Sequence, residues 1–421
     1  MASLGRLIRQ DRILVPVMLV VLASMICLRM PEIILKGRFW CEEGNVFFHD
    51  AWVLPPAQAL FNSFGGYLNL SANAGTLAAR WLLPVRLAPY LTIALALLVQ
   101  LCPLLLLLSA RDSWLRSPSV RICAVLLVLF VPAVEEIWLN SLHCQFHLAL
   151  CCGIILALDA ETPRGRGSVF RYALLILAPL CGPGAIALLP LFLLRTILDR
   201  SSSRFWQMLA LAAGSLLQLT LFFHHEHSRG YSLDPAVLLD VFTVRHLYLP
   251  FAGIGRAQIA ASAIAARRLS GHMPLKAALL PILVFGPLLI LTMSRRPLRP
   301  AFWLLAAGGL VACASYFGAI GGAATLIDAR AGGRYIFVPQ ALFSLSFLAL
   351  AVNASGWVSR GFWMVVMWLL LLGGVEFVHP WALIANGPSW RHEVAVWQHD
   401  PSYRPHVWFE GWTTVSLPAR H

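Results

Sequence analysis

The sequence predicts an all-α, polytopic transmembrane bundle of about eleven helices, with outer-face loops and a short periplasmic C-terminal tail. Three observations carry that expectation. First, 59% of the 421 residues are apolar and only 12% are Asp, Glu, Lys or Arg, about half the roughly 25% charged residues of an average soluble domain. Mean hydropathy is +0.74. Second, apolar runs of nearly spanning length recur along the chain. Third, charge is sorted between alternate connecting segments. This composition excludes a soluble enzyme, a disordered chain and a fibre.

A spanning helix needs about 20 mostly apolar residues. Runs near 13–30, 84–109, 120–134, 142–158, 170–183, 184–198, 206–223, 274–293, 301–319, 336–352 and 361–377 approach that length. Gly182, Pro183 and Gly184 must turn tightly between the two short runs at 170–198. The first run lacks a small-x-small cleavage site and reads as an uncleaved anchor.

Cytoplasmic segments carry the excess of Lys and Arg. Arg6, Arg9 and Arg12 place the N-terminus inside, and alternation then puts 16 Arg but only five acids on the inner side. The other 14 acids and all 13 His fall outside or at outer helix ends. The expected location is a bacterial inner membrane, with the N-terminus cytoplasmic and the C-terminus periplasmic. The core spans 1–377, with long outer loops at 31–83 and 224–273, and an outer tail at 378–421. Within the second loop, Leu247 to Ala266 is moderately apolar. Pro250, Gly253 and Gly255 favour an interfacial or re-entrant segment there. Tail residues such as Trp381, Trp390, Trp397, Trp408 and Trp412 suit an outer-surface anchor.

The net charge is +13, and only Lys36 and Lys276 of the 32 basic residues are Lys. The charge is spread thinly between apolar runs, which excludes a nucleic-acid groove and leaves the bilayer as the surrounding partner. Most of the nine Cys lie in apolar runs and read as small hydrophobes. Cys41 and Cys144 fall near the outer surface, within reach of a disulfide under this topology.

Chemistry concentrates in the segment from Arg38 to Trp52. Glu42 and Glu43 sit side by side among aromatics just after the first span. A low-dielectric surface and a like-charged neighbour both raise a carboxylate pKa, which tunes a general base toward neutrality. Asn140, His143 and His147 stand at i, i+3 and i+7, on one face if a helix starts there. Glu135 and Glu136 form a second acidic pair nearby. His224-His225-Glu226-His227 offers three imidazoles, but no regular helix aims all three at one ion, so no metal site is assigned.

Phe39-Trp40-x-Glu42-Glu43-Gly44, followed by Phe47 or Phe48 and by Gly66-Tyr67-x-Asn69, resembles the first outer loop of bacterial membrane proteins of the GT-C glycosyltransferase type. Those relatives often show Phe-Trp-x-Glu-Asp-Gly, so Glu43 replaces a commoner Asp. Asn140, His143, Gln145 and His147 resemble a second polar cluster of these proteins. Gly332-Gly333-Arg334-Tyr335-x-Phe337-x-Pro339 resembles a third. The resemblance implies an enzyme that moves a sugar from a polyprenyl-phosphate donor to a cell-envelope glycan, lipid or protein, on the outer face, with inversion. It puts the base on Glu42 or Glu43, with Glu43 aligning to the second acid of the motif. Arg334, and secondarily Arg80, are then the expected partners of the donor phosphate. Trp40, Tyr67, Asn69, Asn140, His143, His147 and Tyr335 are the expected substrate contacts. Some such enzymes need a divalent cation (Mg or Mn) and many do not.

No phosphate-cradling Gly loop or nucleotide fingerprint occurs, in keeping with a lipid-borne donor. Two other classes compete: a transporter or flippase of lipid-linked saccharides, and a non-catalytic envelope-assembly subunit. A transporter calls for intramembrane charges or paired broken helices.

Overall fold

The computed structural model describes residues 2–161, 165–224, 234–271, 274–409 and 413–418. The first half of the bundle consists of α1 (Ala2–Arg29), α2 (Leu70–Leu82), α3 (Ala88–Ser109), α4 (Pro118–Leu129), α5 (Cys144–Ala157), α6 (Arg166–Cys181) and α7 (Leu189–Asp199). The second half consists of α8 (Ser202–His224), α9 (Pro235–Phe242), α10 (Leu249–Leu269), α11 (Leu275–Ser294), α12 (Arg299–Phe317), α13 (Gly333–Asn353) and α14 (Gly356–Val378). A tail helix, α15 (Trp390–His399), follows. Among the described residues, the only sheets are two short antiparallel pairs.

Among the described residues, seven helical segments are long and apolar enough to cross a membrane; they include α3, α8, α11, α12, α13 and α14, and the seventh joins α9 to α10. Shorter apolar helices occur in α1, α4, α5 and α6. The chain therefore has the make-up of a multi-pass membrane protein. The run expected at 184–198 differs: Pro183–Leu188 is a 3-10 turn, and α7 retains only 11 residues, well short of the ~20 that a bilayer needs.

Helix α13 is the hub. It packs on α12, α14, α5 and α4, and almost every side chain from Tyr335 to Ala351 is buried. An all-round apolar sequence such as this one is stable only when neighbours cover every face. Small residues bring other helices close. A Cβ on Gly214 of α8 would lie 2.4 Å from the Ile176 carbonyl of α6, so the two backbones touch.

Helix α5 separates two polar zones. At its C-terminal end, Asp112 accepts the Asp159 amide at 2.6 Å and Arg204 pairs with Asp199 at 3.2 Å. At its N-terminal end stand Glu42, Glu136, His143 and Arg334. The same end receives the tail. The Trp408 amide donates to the Phe39 carbonyl at 3.2 Å, and the Trp390 indole donates to the Val85 carbonyl at 2.8 Å. Trp390 and Trp408 are 1% and 2% exposed. They anchor the tail to protein, whereas a headgroup belt would leave them facing lipid.

The segment Pro235–Leu269 bends back on itself. Arg268 bonds Asp240 at 2.6 Å, across 28 positions of sequence, whereas a straight helix would hold them about 42 Å apart. The corner includes Gly253, whose φ of 78° and ψ of 168° lie outside the helical region, a conformation open to Gly. The freed Ile254 amide donates to Glu376 Oε1 at 3.2 Å. The two limbs thus return to one side, although the segment is long enough by composition to cross. Single cysteines placed at Asp234 and Gly271, in a background without accessible native thiols, are expected to react with an impermeant reagent from the same side. Labelling from opposite sides would overturn the bend.

Candidate active site

The site begins where α1 ends. After Gly37, the backbone runs through Trp40 into a π-helical turn, Glu43–Phe48. π-turns concentrate at functional sites because they shift side-chain register. The turn separates the twin glutamates. Glu43 points inward and is 0% exposed. Its Oε1 accepts the Ser141 amide at 2.6 Å and the Ser141 hydroxyl at 2.5 Å, and its Oε2 accepts the Trp40 amide at 3.1 Å. Burial raises its pKa above the ordinary carboxylate value, while these donors pull it back. Glu42 is half-buried and lines a cavity of about 420 Å³.

That cavity has a mixed lining. Glu42, His143, Gln145, Tyr67 and Arg334 supply its polar lining, and Leu219 and Phe222 of α8, Phe317 of α12 and Ile320 just beyond it supply apolar lining. Arg334 opens α13. Its amide donates to Glu136 Oε1 at 2.6 Å and its Nη1 to Oε2 at 3.0 Å. Gly333 permits this: a Cβ there would lie 2.2 Å from the Ala133 carbonyl. Burial acts to raise the Glu136 pKa, but Arg334 and His143 together bring it below the ordinary value. Glu42 also lies within Coulombic reach of Arg334.

His143 is held in one tautomer. Its Nδ1 lies 2.7 Å from the Glu136 carbonyl. A carbonyl only accepts, so Nδ1 carries the proton and Nε2 the lone pair. Burial lowers the His143 pKa to about 4, which keeps the ring neutral near pH 7. The ring is backed by Trp40, edge-on at 5.2 Å, and Trp40 in turn by Trp408 at 4.3 Å.

The structure gathers some expected residues and disperses others. Glu42, Tyr67, His143, Arg334 and Tyr335 line the cavity. Glu43, expected as the base, lies behind it and ties segments together. Trp40 supports His143 from behind and is not itself in the wall. Asn69 caps α2 by accepting the Ala72 amide and donates to the Leu142 carbonyl at 2.8 Å. Asn140 closes its own turn, accepting the His143 amide at 3.0 Å. Both asparagines are spent on backbone. His147 is 0% exposed, between the rings of Trp138 and Phe337 at 4.9 and 4.8 Å. It lies one turn further into the bundle than His143 and does not line the cavity. Arg80 stacks on Trp52 and Trp81, at 4.8 and 5.2 Å, away from the wall. Glu135 pairs with Arg29 at 3.3 Å.

Cys41 and Cys144 are free thiols. His225, Glu226 and His227 lie outside the described residues. Among those described, no group of three or more His, Cys, Asp or Glu is arranged to hold a metal ion. Sequence reasoning missed Gln218. Its amide pairs with both the nitrogen and the oxygen of Leu68, at 3.2 and 3.1 Å, and so docks the 63–68 hairpin onto α8. The available signal was a lone amide in an apolar run.

Glu43→Ala strands the Ser141 and Trp40 donors in the interior and is expected to cost about 3 kcal/mol. Glu42→Gln should stay within about 1 kcal/mol of wild type. Denaturant unfolding in micelles compares the two, and equal losses would refute the division of roles. His143 contributes stability that is complete above about pH 6.5, the unfolded value, and is lost as pH falls toward its folded value of about 4. Because the Asn amide reproduces Nδ1–H, His143→Asn should flatten the stability profile between those limits. An unchanged profile counts against it. No family model, curated protein or solved structure matches this chain.

Proposed function

We propose that the chain is a membrane glycosyltransferase that moves a sugar from a polyprenyl-phosphate donor to a cell-envelope acceptor on the outer face. One observation supports this most: a single cavity joins a carboxylate, a neutral imidazole and an arginine to an apolar wall between α8 and α12. A phosphoisoprenoid has the same division, with a charged head on a hydrocarbon chain.

In this reading Arg334 meets the donor phosphate. A guanidinium is always charged and has donors to spare after one is given to Glu136. Glu136 holds it in place. Glu42 is the base: its carboxylate takes the proton of an acceptor hydroxyl as that oxygen attacks the anomeric carbon. The bond from that carbon to the phosphate oxygen breaks, and the polyprenyl phosphate departs with the electron pair, its charge met by Arg334. His143 Nε2 accepts a sugar hydroxyl proton in a hydrogen bond, and Tyr67 and Gln145 offer further polar contacts. The role assigned to the twin acids falls on Glu42 because Glu43 has no access to the cavity.

The test is transfer by purified protein in lipid nanodiscs, supplied with a polyprenyl-phosphate-linked sugar and envelope glycolipid acceptors. Glu42→Gln should lose about 10²–10⁴-fold in turnover, the usual contribution of a general base, with donor binding retained. Arg334→Ala should weaken donor binding. Full turnover in Glu42→Gln rejects the base. Donor movement across a bilayer without sugar transfer favours a transporter.

A further inference from the structure

We infer that Arg245 is a positioning residue for Arg334, gathering the backbone that leads into α13 and so setting where the Arg334 guanidinium stands in the cavity. The inference rests on the donor-phosphate reading of Arg334. Arg245 sits in a second π-helical turn, Thr243–Tyr248, and is 0% exposed. Its Nε donates to the Leu326 carbonyl and its Nη1 to the Ala329 carbonyl, both at 2.7 Å. Its Nη2 donates to the carbonyls of Asp328 and Ala331. Among the described residues it has no carboxylate within ion-pair distance, and its hydrogen bonds all go to backbone carbonyls. Only a planar fork with several diverging donors suits four such acceptors, and an ammonium presents its three from one point.

The segment so held has little structure of its own. After the 3-10 turn Ala323–Ile327 it enters neither helix nor strand until α13, and its carbonyls need partners from elsewhere. Gly332, in the left-handed region at φ 59°, follows directly, and then Gly333 and Arg334. Other bonds pin the flanks. The Ala329 amide donates to Gln258 Oε1 at 3.0 Å, and the Ile320 amide donates to the Tyr335 hydroxyl at 3.1 Å. The clamp has a rigid base as well. The adjacent His246 bonds Gln340 of α13 at 2.9 Å and the Tyr316 hydroxyl of α12. Arg334 is thus fixed from two directions: Glu136 holds its amide and guanidinium, and Arg245 holds the chain that delivers it.

The experiment uses the full chain in nanodiscs with Arg245→Gln and the milder Arg245→Lys, which keeps the charge should the first fail to fold. The readouts are amide hydrogen exchange over 326–335 and the affinity for a polyprenyl monophosphate, with inorganic phosphate as a headgroup-only probe. Exchange should accelerate about tenfold in 326–335 while 139–157 keeps wild-type rates, and the affinity should fall about tenfold, the scale of a typical coupling between sites. Unchanged exchange overturns the inference. So does acceleration spread evenly through α5, α12 and α13, since that marks a general fold stabiliser. If wild type and Arg334→Ala bind the polyprenyl phosphate equally, the donor reading of Arg334 fails, and the clamp then stands or falls on local exchange alone.

Discussion

The carboxylate of Glu43 is the constraint on which the candidate site depends. It collects amide and hydroxyl donors from two strips of chain almost a hundred residues apart. Each strip is irregular, and each carries polar backbone that helices would otherwise satisfy. Joining them at one buried acceptor fixes Glu42 beside His143, since Glu42 adjoins Glu43 and His143 follows Ser141 by two positions. A buried carboxylate survives only with such compensation. Its anchoring value comes from the same burial that withholds it from the cavity.

The neighbouring acids follow a related logic. Glu135 and Glu136 are adjacent in sequence, yet one meets Arg29 at the end of α1 and the other Arg334 at the start of α13. Arg29 also stacks on Phe377 at 4.6 Å. One short 3-10 turn therefore ties three helix ends. Buried ion pairs add little net stability, because desolvation offsets attraction, but breaking one is costly. Their effect here is to specify which ends meet. The cavity inherits its geometry from that choice: the arginine in its polar lining has its direction set before any ligand arrives.

Much of the bundle was legible because apolar run length is a direct readout of what lipid demands. Runs at 84–109, 206–223, 301–319, 336–352 and 361–377 correspond closely to helices. Where length fails, geometry decides. Gly182, Pro183 and Gly184 signalled a tight turn, but nothing in the apolar run announces that it extends to Leu188. The fold-back of Pro235–Leu269 was signalled by Pro250 and Gly253, but its closure through Asp240 and Arg268 depends on a long-range pairing no local pattern shows. In the site, residue type pointed to the right neighbourhood. It did not divide Glu42 from Glu43, nor His143 from His147, because the π-turn and the depth of α5 decide which member of each pair meets open space. Aliphatic walls such as Leu219 and Ile320 carry no signature at all. Arg245 carries no local signature either, since its carbonyl partners have no side-chain identity.

The aromatic relay from His143 through Trp40 to Trp408 joins the segment that follows α1 to a stretch translated after every membrane helix described above. Trp408 and Phe409 lie against Trp40 at 4.3 and 5.1 Å. While helices insert one after another during synthesis, the imidazole therefore rests on a ring that Trp408 has not yet met. The backing of the cavity is completed late, by the tail, and a nascent chain whose helices are all made already carries Glu42, Glu136 and Arg334 before Trp408 reaches Trp40.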